Sequence, residues 1–121
     1  MGLDTSHDCW HGAYSAFNRW RTALCEVAGY GALEERAGYV TGGKPWPKGD
    51  VLVELLMHSD CDGSLAADIC APLADRLESL LPALEIKGDG GGHLGGYAEK
   101  TRTFIEGLRA AAEAGEPVEF H

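Results

Sequence analysis

An α+β fold, with three principal helices packed on a small sheet of short strands, is what this sequence predicts. Three apolar stripes with a period near 3.6 supply the helices. Short apolar pieces bounded by glycine, proline and aspartate supply two to four strands. No internal repeat or heptad array competes with this reading. The 121 residues suffice for one core and are too few for two, so residues 1–121 read as a single globular domain.

The first stripe comprises Trp10, Ala13, Tyr14, Phe17, Trp20, Leu24, Val27 and Ala28, and predicts a helix from Asp8 to Ala28. Thr5, Ser6 or Asp8 suits its cap, and Gly29 suits the left-handed residue beyond its end. Arg21 falls inside the stripe, where a cation must be paired or stand at a pocket edge. His11, Ser15, Asn18 and Thr22 form a polar ridge along one flank. Residues 29–50 are punctuated by Gly29, Gly31, Gly38, Gly42, Gly43, Pro45, Pro47 and Gly49. They admit at most a short helix over Leu33–Ala37 and an extended piece at Tyr39–Thr41. A loop of that length in a compact domain is commonly a lid or binding loop, and Trp46 between two prolines places it near the pocket.

Val51–Met57 is apolar apart from Glu54 and is assigned to a buried strand, because its length and its Gly and Asp boundaries favour that state. Asp60–Gly63 turns the chain. The second helix starts near Asp68, since Pro72 is tolerated only close to a helix start. Its stripe is Leu73, Leu77, Leu80, Leu81 and Leu84, with Pro82 against its end. A glycine-rich segment, Gly88–Gly96, leads into a third helix marked by Tyr97, Thr101, Phe104, Ile105, Leu108 and Ala112 and stopped by Gly115. The tail, Pro117–His121, is expected to add an edge strand beside Val51–Met57.

Nineteen acidic against ten basic residues give a net charge of −9. A phosphate-backbone binder needs a basic face, so nucleic acid is not expected as a partner. No apolar run reaches the roughly 18 residues that span a bilayer, and no membrane association is expected. The acidic start Met1-Gly2-Leu3-Asp4 lacks a secretory pattern and only partly matches an N-myristoylation signal. Cys9, Cys25, Cys61 and Cys70 are therefore expected to be reduced, in a cytoplasmic protein.

Two polar knots carry the chemistry. His7-Asp8-Cys9-Trp10-His11 has the form HDxxH, which on a helix would set two imidazoles on one face around a metal. Its position at the N-terminus, the Asp in place of Glu and the missing downstream partners argue against a zinc protease. His58-Ser59-Asp60-Cys61-Asp62-Gly63 has the Asp-x-Asp-Gly core of a calcium loop, but that register puts Ile69 where a bidentate Glu is required. Cys9, His11, His58 and Cys61 are a zinc-competent set, although their C-x-H and H-x-x-C spacings match no known module. Zinc is thus admitted, the metal site is left open, and no cofactor is expected. The glycine-rich segment ahead of a helix matches no phosphate-loop motif and reads either as a flexible connector or as an anion cradle, with His93 free to reach a ligand.

The strings Asp4-Thr-Ser-His-Asp-Cys-Trp-His-Gly-Ala-Tyr-Ser-Ala-Phe-Asn-Arg-Trp-Arg21, His58-Ser-Asp-Cys-Asp-Gly63 and Gly115-Glu-Pro-Val-Glu-Phe120 resemble a family of short bacteriophage and prophage proteins. The resemblance runs over nearly the whole chain and carries no assigned activity. It implies an accessory protein in an infected bacterial host, of the kind that acts against host defence. One such class sequesters nucleotide signals such as cyclic ADP-ribose derivatives or cyclic dinucleotides.

The leading expectation is therefore non-catalytic binding of a small nucleotide-like ligand, in a protein that could assemble as a homo-oligomer. The expected ligand-binding residues are Trp10, His11, Tyr14, Ser15, Arg21, Trp46, His58, Asp60, Asp62 and His93. Trp10, Tyr14 and Trp46 would offer aromatic faces. Arg21, His11 and His93 would offer donors, and Asp60 or Asp62 would hold ribose hydroxyls. The alternatives are a metal-assisted phosphodiesterase or hydrolase using His7, Asp8, His11, His58 and Asp60, and a protein-interaction module that inhibits a host protein.

Overall fold

The computed structural model describes residues 2–36, 41–59, 61–87 and 96–121. Strand β1 (Gly2–Asp4) pairs antiparallel with β2 (His11–Ala13), and a 3₁₀ turn over Ser6–Asp8 lies between them. Helices α1 (Tyr14–Val27), α2 (Leu52–Leu56), α3 (Ala67–Lys87) and α4 (Tyr97–Ala114) follow, with β3 (Ser64–Leu65) before α3 and β4 (Val118–Glu119) after α4. The fold is α+β: three long helices and short antiparallel ribbons, as the hydrophobic periodicity predicts.

The first helix begins at Tyr14 and not at Asp8. Residues Gly2–Asp4 capture His11–Ala13 as a strand partner, and Thr5 closes the ribbon. Its N–H donates to the Trp10 carbonyl at 3.1 Å, and its hydroxyl accepts the Trp10 N–H at 3.0 Å. Trp10 still reaches the core, so the sequence stripe runs on through residues that are not helical. The other end matches expectation. Gly29 takes φ 87°, Tyr30 N–H donates to the Cys25 carbonyl, and Gly29 N–H donates to that of Glu26, both at 3.0 Å. That is the Schellman arrangement. Gly115 ends α4 in the same way at φ 69°, with Glu116 N–H on the Ala111 carbonyl at 2.9 Å.

Val51–Met57 is not a strand. Leu52–Leu56 forms a short helix, started by Asp50, whose carboxylate accepts the Leu52 N–H at 2.9 Å. Leu52, Leu55 and Leu56 are buried, a spacing of three and four that a helix face satisfies as well as a buried strand does. The tail therefore finds another partner: β4 pairs with β3, joining Ser64 to Glu119 and Leu65 to Val118. Beyond β4 the chain also meets the first strand. Asp4 N–H donates to the His121 carbonyl at 3.0 Å, and His121 N–H returns a bond to the Asp4 carbonyl at 2.8 Å. Between residues 29 and 50, Leu33–Glu35 makes one 3₁₀ turn. Thr41 lies in a turn rather than a strand, and Tyr39 and Val40 lie outside the described residues.

One apolar cluster joins these elements. Trp20 stacks on Trp10 at 5.2 Å between centroids and meets Phe104 of α4 at 4.9 Å. Its indole N–H donates to the Thr101 hydroxyl at 2.8 Å, and that hydroxyl donates to the Tyr97 carbonyl at 2.7 Å. Helices α3 and α4 run antiparallel, tied by pairs of Arg102 with Glu85 and Arg109 with Glu78. Pro72 and Pro82 both lie within α3, so Pro82 does not end it. Among the described residues no helix is long and apolar enough to cross a membrane.

Asp50 also organises the outer loop. It accepts bonds from Arg76 and Tyr30 as well as from Leu52. Burial pushes its carboxyl up, but the Arg76, Tyr30 and Leu52 hydrogen bonds outweigh this and hold it below the usual value of 3.8. A depressed folded pKa means that this stabilisation is complete above the unfolded value and is lost as pH falls through the folded one. Urea midpoints of the native protein should therefore drop below about pH 4. The Asp50→Asn variant, already weaker at neutral pH, should show a smaller drop over the same interval.

Candidate functional site

Among the described residues, only Trp10 and His11 of the sequence-predicted site residues line a common cleft. Asp60 and His93 lie outside the described residues. Arg21 is 3% exposed and serves as an internal clamp: it donates to the carbonyls of Leu55 and His58 and to the Asn18 side chain. Its carbon centre lies 4.5 Å from the Phe17 ring centroid. This joins α1 to α2 and the turn after it.

His58 is also committed to its turn. One ring nitrogen contacts the Ser59 carbonyl at 2.8 Å, the other the Ser64 carbonyl at 3.0 Å, and the ring packs on Phe120 at 4.1 Å. Asp62 and Ser15 are exposed, and Tyr14 is half-buried against the core. Trp46 packs at the core's edge under Arg36, 5.4 Å from its ring centroid. Arg36 in turn donates to the Tyr30 and Pro45 carbonyls. Trp46 thus packs on the core and on Arg36, and it is not among the residues that line the cleft of Trp10 and His11.

The HDxxH reading needed a helix, and the segment is a tight turn followed by a strand. His7 pairs with Glu116, and His11 pairs with Asp4, so the two imidazoles serve different partners. The Cys9, His11, His58 and Cys61 set is not assembled either: among the described residues no group of three or more His, Cys, Asp or Glu is placed to hold a metal. All four cysteines are free thiols, and three are buried. Burial pushes Cys9 up to about 12 despite a hydrogen bond from Thr5, and burial raises Cys25 and Cys70 too. Only the thiolate reacts readily. Iodoacetamide at neutral pH should therefore alkylate Cys61 alone in the folded protein and all four cysteines in urea, as read by intact mass.

What the fold does assemble is a cleft of about 130 Å³ lined by Cys9, Trp10, His11, Glu99, Lys100 and Thr103. The N-terminal ribbon supplies one wall and the first two turns of α4 the other. Lys100 Nζ stands 5.0 Å from the Trp10 ring centroid, a cation–π contact worth about 0.5–1 kcal/mol. The hydrogen bond that His11 Nδ1–H donates to the Asp4 carboxylate, with that group's negative charge, raises the His11 pKa, so the imidazole keeps its proton to higher pH than a free one. The Trp10 Nε1–H is buried and has no acceptor among the described residues. Gly12 lies beside it, where a Cβ would come within 3.5 Å of the nitrogen.

A wider hollow of about 400 Å³ is lined by Leu84, Glu85, Gly96, Tyr97, Ala98, Glu99 and Arg102. Glu99 borders both spaces. Gly96 is the N-cap of α4 and brings no side-chain cap, so the positive end of this 18-residue helix borders the hollow. No protein-family model, curated protein or solved structure matches this chain.

Of the residues that line these hollows, the sequence reading names Trp10 and His11 and not Glu99, Lys100, Thr103 or Arg102. These lie on the polar face of α4, where charged residues at helical spacing look like any solvated surface. The anion-cradle pattern before α4 was the one signal that pointed to this end of the helix.

Proposed function

We propose that this chain is a phage-type accessory protein that binds a small nucleotide-like ligand and sequesters it without turning it over. The observation that carries the reading is the pair of adjoining hollows along the start of α4, one narrow with Lys100 and His11 at its wall, one wide with Tyr97 at its side. The wider space falls within the roughly 300–1,000 Å³ of ligand pockets, and the narrow one suits a phosphate-sized group. Tyr97 offers an aromatic face for a base. Lys100 offers charge and His11 a ring N–H to a phosphate, while Glu99 and Glu85 accept from ribose hydroxyls. These two carboxylates also disfavour a ligand that presents only phosphates, which favours one with exposed hydroxyl or amino donors.

The test is a thermal-shift and native mass-spectrometry panel of cyclic dinucleotides and cyclic ADP-ribose-type compounds. A binder stabilises the protein in proportion to ligand excess, and heat denaturation should release the compound with unchanged mass. Lys100→Ala should weaken binding by about tenfold, some 1.4 kcal/mol. Release of a cleaved product would replace this reading with a hydrolase. Absence of any shift across the panel, with stability intact, would replace it with a protein-interaction module.

A further inference from the structure

We propose that Ser6, His7 and Glu116 form a nucleophilic centre that accepts an acyl or phosphonyl group from an activated ester or halide. None of the three lines the two hollows, so this centre is separate from the proposed ligand site. Ser6 Oγ lies 2.9 Å from His7 Nδ1, and His7 Nε2 lies 2.9 Å from Glu116 Oε1. Only one proton arrangement satisfies this chain when the imidazole is neutral. The carboxylate can only accept, so Nε2 carries the hydrogen. Nδ1 is then an acceptor, and the serine hydroxyl must donate to it. A serine hydroxyl donating to an imidazole that is held by a carboxylate is the arrangement that activates serine for acyl transfer, recognised by geometry and not by sequence order.

The backbone around it is unusual. His7 has φ 60° and Asp8 φ 56°, two successive non-glycine residues in the left-handed region. Such strain persists only where the surroundings fix it. Here they do. The His7 carbonyl and Cys9 press on Gly107 of α4 so closely that a Cβ there would lie 2.7 Å from the carbonyl oxygen. The Schellman end of α4 sets Glu116 opposite the ring. The Glu119 N–H donates to Ser6 Oγ at 2.9 Å, a bond that strengthens as negative charge develops on the oxygen. The His7 side chain keeps 19% of its surface exposed, and Ser6 is half-buried, so a reagent can approach.

With an ester, Ser6 Oγ forms a bond to the carbonyl carbon while its proton passes to Nδ1. The ester C–O bond breaks, and the departing oxygen takes that proton, leaving acyl-Ser6 and free alcohol. Water then attacks the acyl carbon, giving its proton to Nδ1, and Ser6 leaves with that proton as the carboxylic acid is released. Glu116 is a positioning residue: it keeps Nε2 protonated and the ring aligned.

A fluorophosphonate reports the first step directly, with P–O formed, P–F broken and fluoride lost. The full chain, treated and mapped by peptide mass, should carry the adduct on Ser6 at least ~10²-fold faster than on Ser15 or Ser59. Ser6→Ala should abolish it. His7→Gly, which suits φ 60°, should slow labelling, and added imidazole should restore it. Glu116→Ala should slow labelling, and Glu116→Gln, whose amide oxygen still accepts the Nε2–H, should recover most of the rate. Circular dichroism identifies variants that remain folded. Labelling of Ser6 no faster than of the surface serines overturns the proposal whatever the variants do. So does labelling that a folded His7→Gly variant leaves unchanged.

Discussion

Replacing Arg21 with methionine is expected to destabilise the protein by about 1–3 kcal/mol, the scale for leaving a buried acceptor without its donor. Methionine retains the length and most of the apolar contact, so the loss isolates the guanidinium. The His58 carbonyl and the Asn18 amide oxygen lose this donor, and the Leu55 carbonyl keeps the His58 N–H at 3.2 Å. They sit where α1, α2 and the His58 turn meet, and water has little access to a residue that is 3% exposed. Lysine should recover only part of the loss, because one ammonium cannot present the planar fork that serves separate acceptors. Urea denaturation with an unchanged slope would measure it, and a loss below about 1 kcal/mol would show that solvent replaces the guanidinium.

Gly107→Ala should be the second severe change, and here two effects of opposite sign compete. Alanine inside a helix gains about 1 kcal/mol over glycine. The added Cβ would lie 2.7 Å from the His7 carbonyl oxygen and 3.0 Å from Cys9 Cα, and closer still to the Cys9 sulfur. Two of these are contacts with a strained turn that cannot simply rotate away, and overpacking costs about 1–3 kcal/mol or more. The clash wins. A net loss of at least about 1–2 kcal/mol is expected, together with faster alkylation of Cys9 as the turn lifts from α4. Unchanged or raised stability would show that the N-terminal turn yields freely.

The long helices were legible because an apolar stripe repeated over several turns matches the helical period and no strand's. Phe17, Trp20 and Leu24, then Leu73, Leu77 and Leu84, then Phe104 and Leu108, are all buried as their spacing requires. Gly29 and Gly115 marked their stops. The short elements were not legible, for particular reasons. Leu52, Leu55 and Leu56 offer too few residues for periodicity to separate helix from strand, and the deciding cue was Asp50 as a cap. Trp10 is buried from a strand end, so it extended the helical stripe without belonging to the helix. The tail chose Ser64–Leu65 because Val51–Met57 had already satisfied its own backbone. Of the site, the aromatic and histidine wall could be read locally. The α4 wall could not, since which solvent-facing lysine meets which tryptophan is fixed only by packing. The same holds for Glu116, whose partner His7 lies at the other end of the chain.

The bonds between Asp4 and His121 also set an order of events. Helices α3 and α4 are neighbours in sequence and can pair after closing one short loop, whereas the Asp4–His121 seam must wait until nearly the whole chain has collapsed. Contacts made late affect the unfolding rate more than the folding rate. Phe120, buried against Phe17 and His58, therefore acts as a latch on the native state: truncating it should shorten the protein's lifetime while leaving its speed of folding nearly untouched.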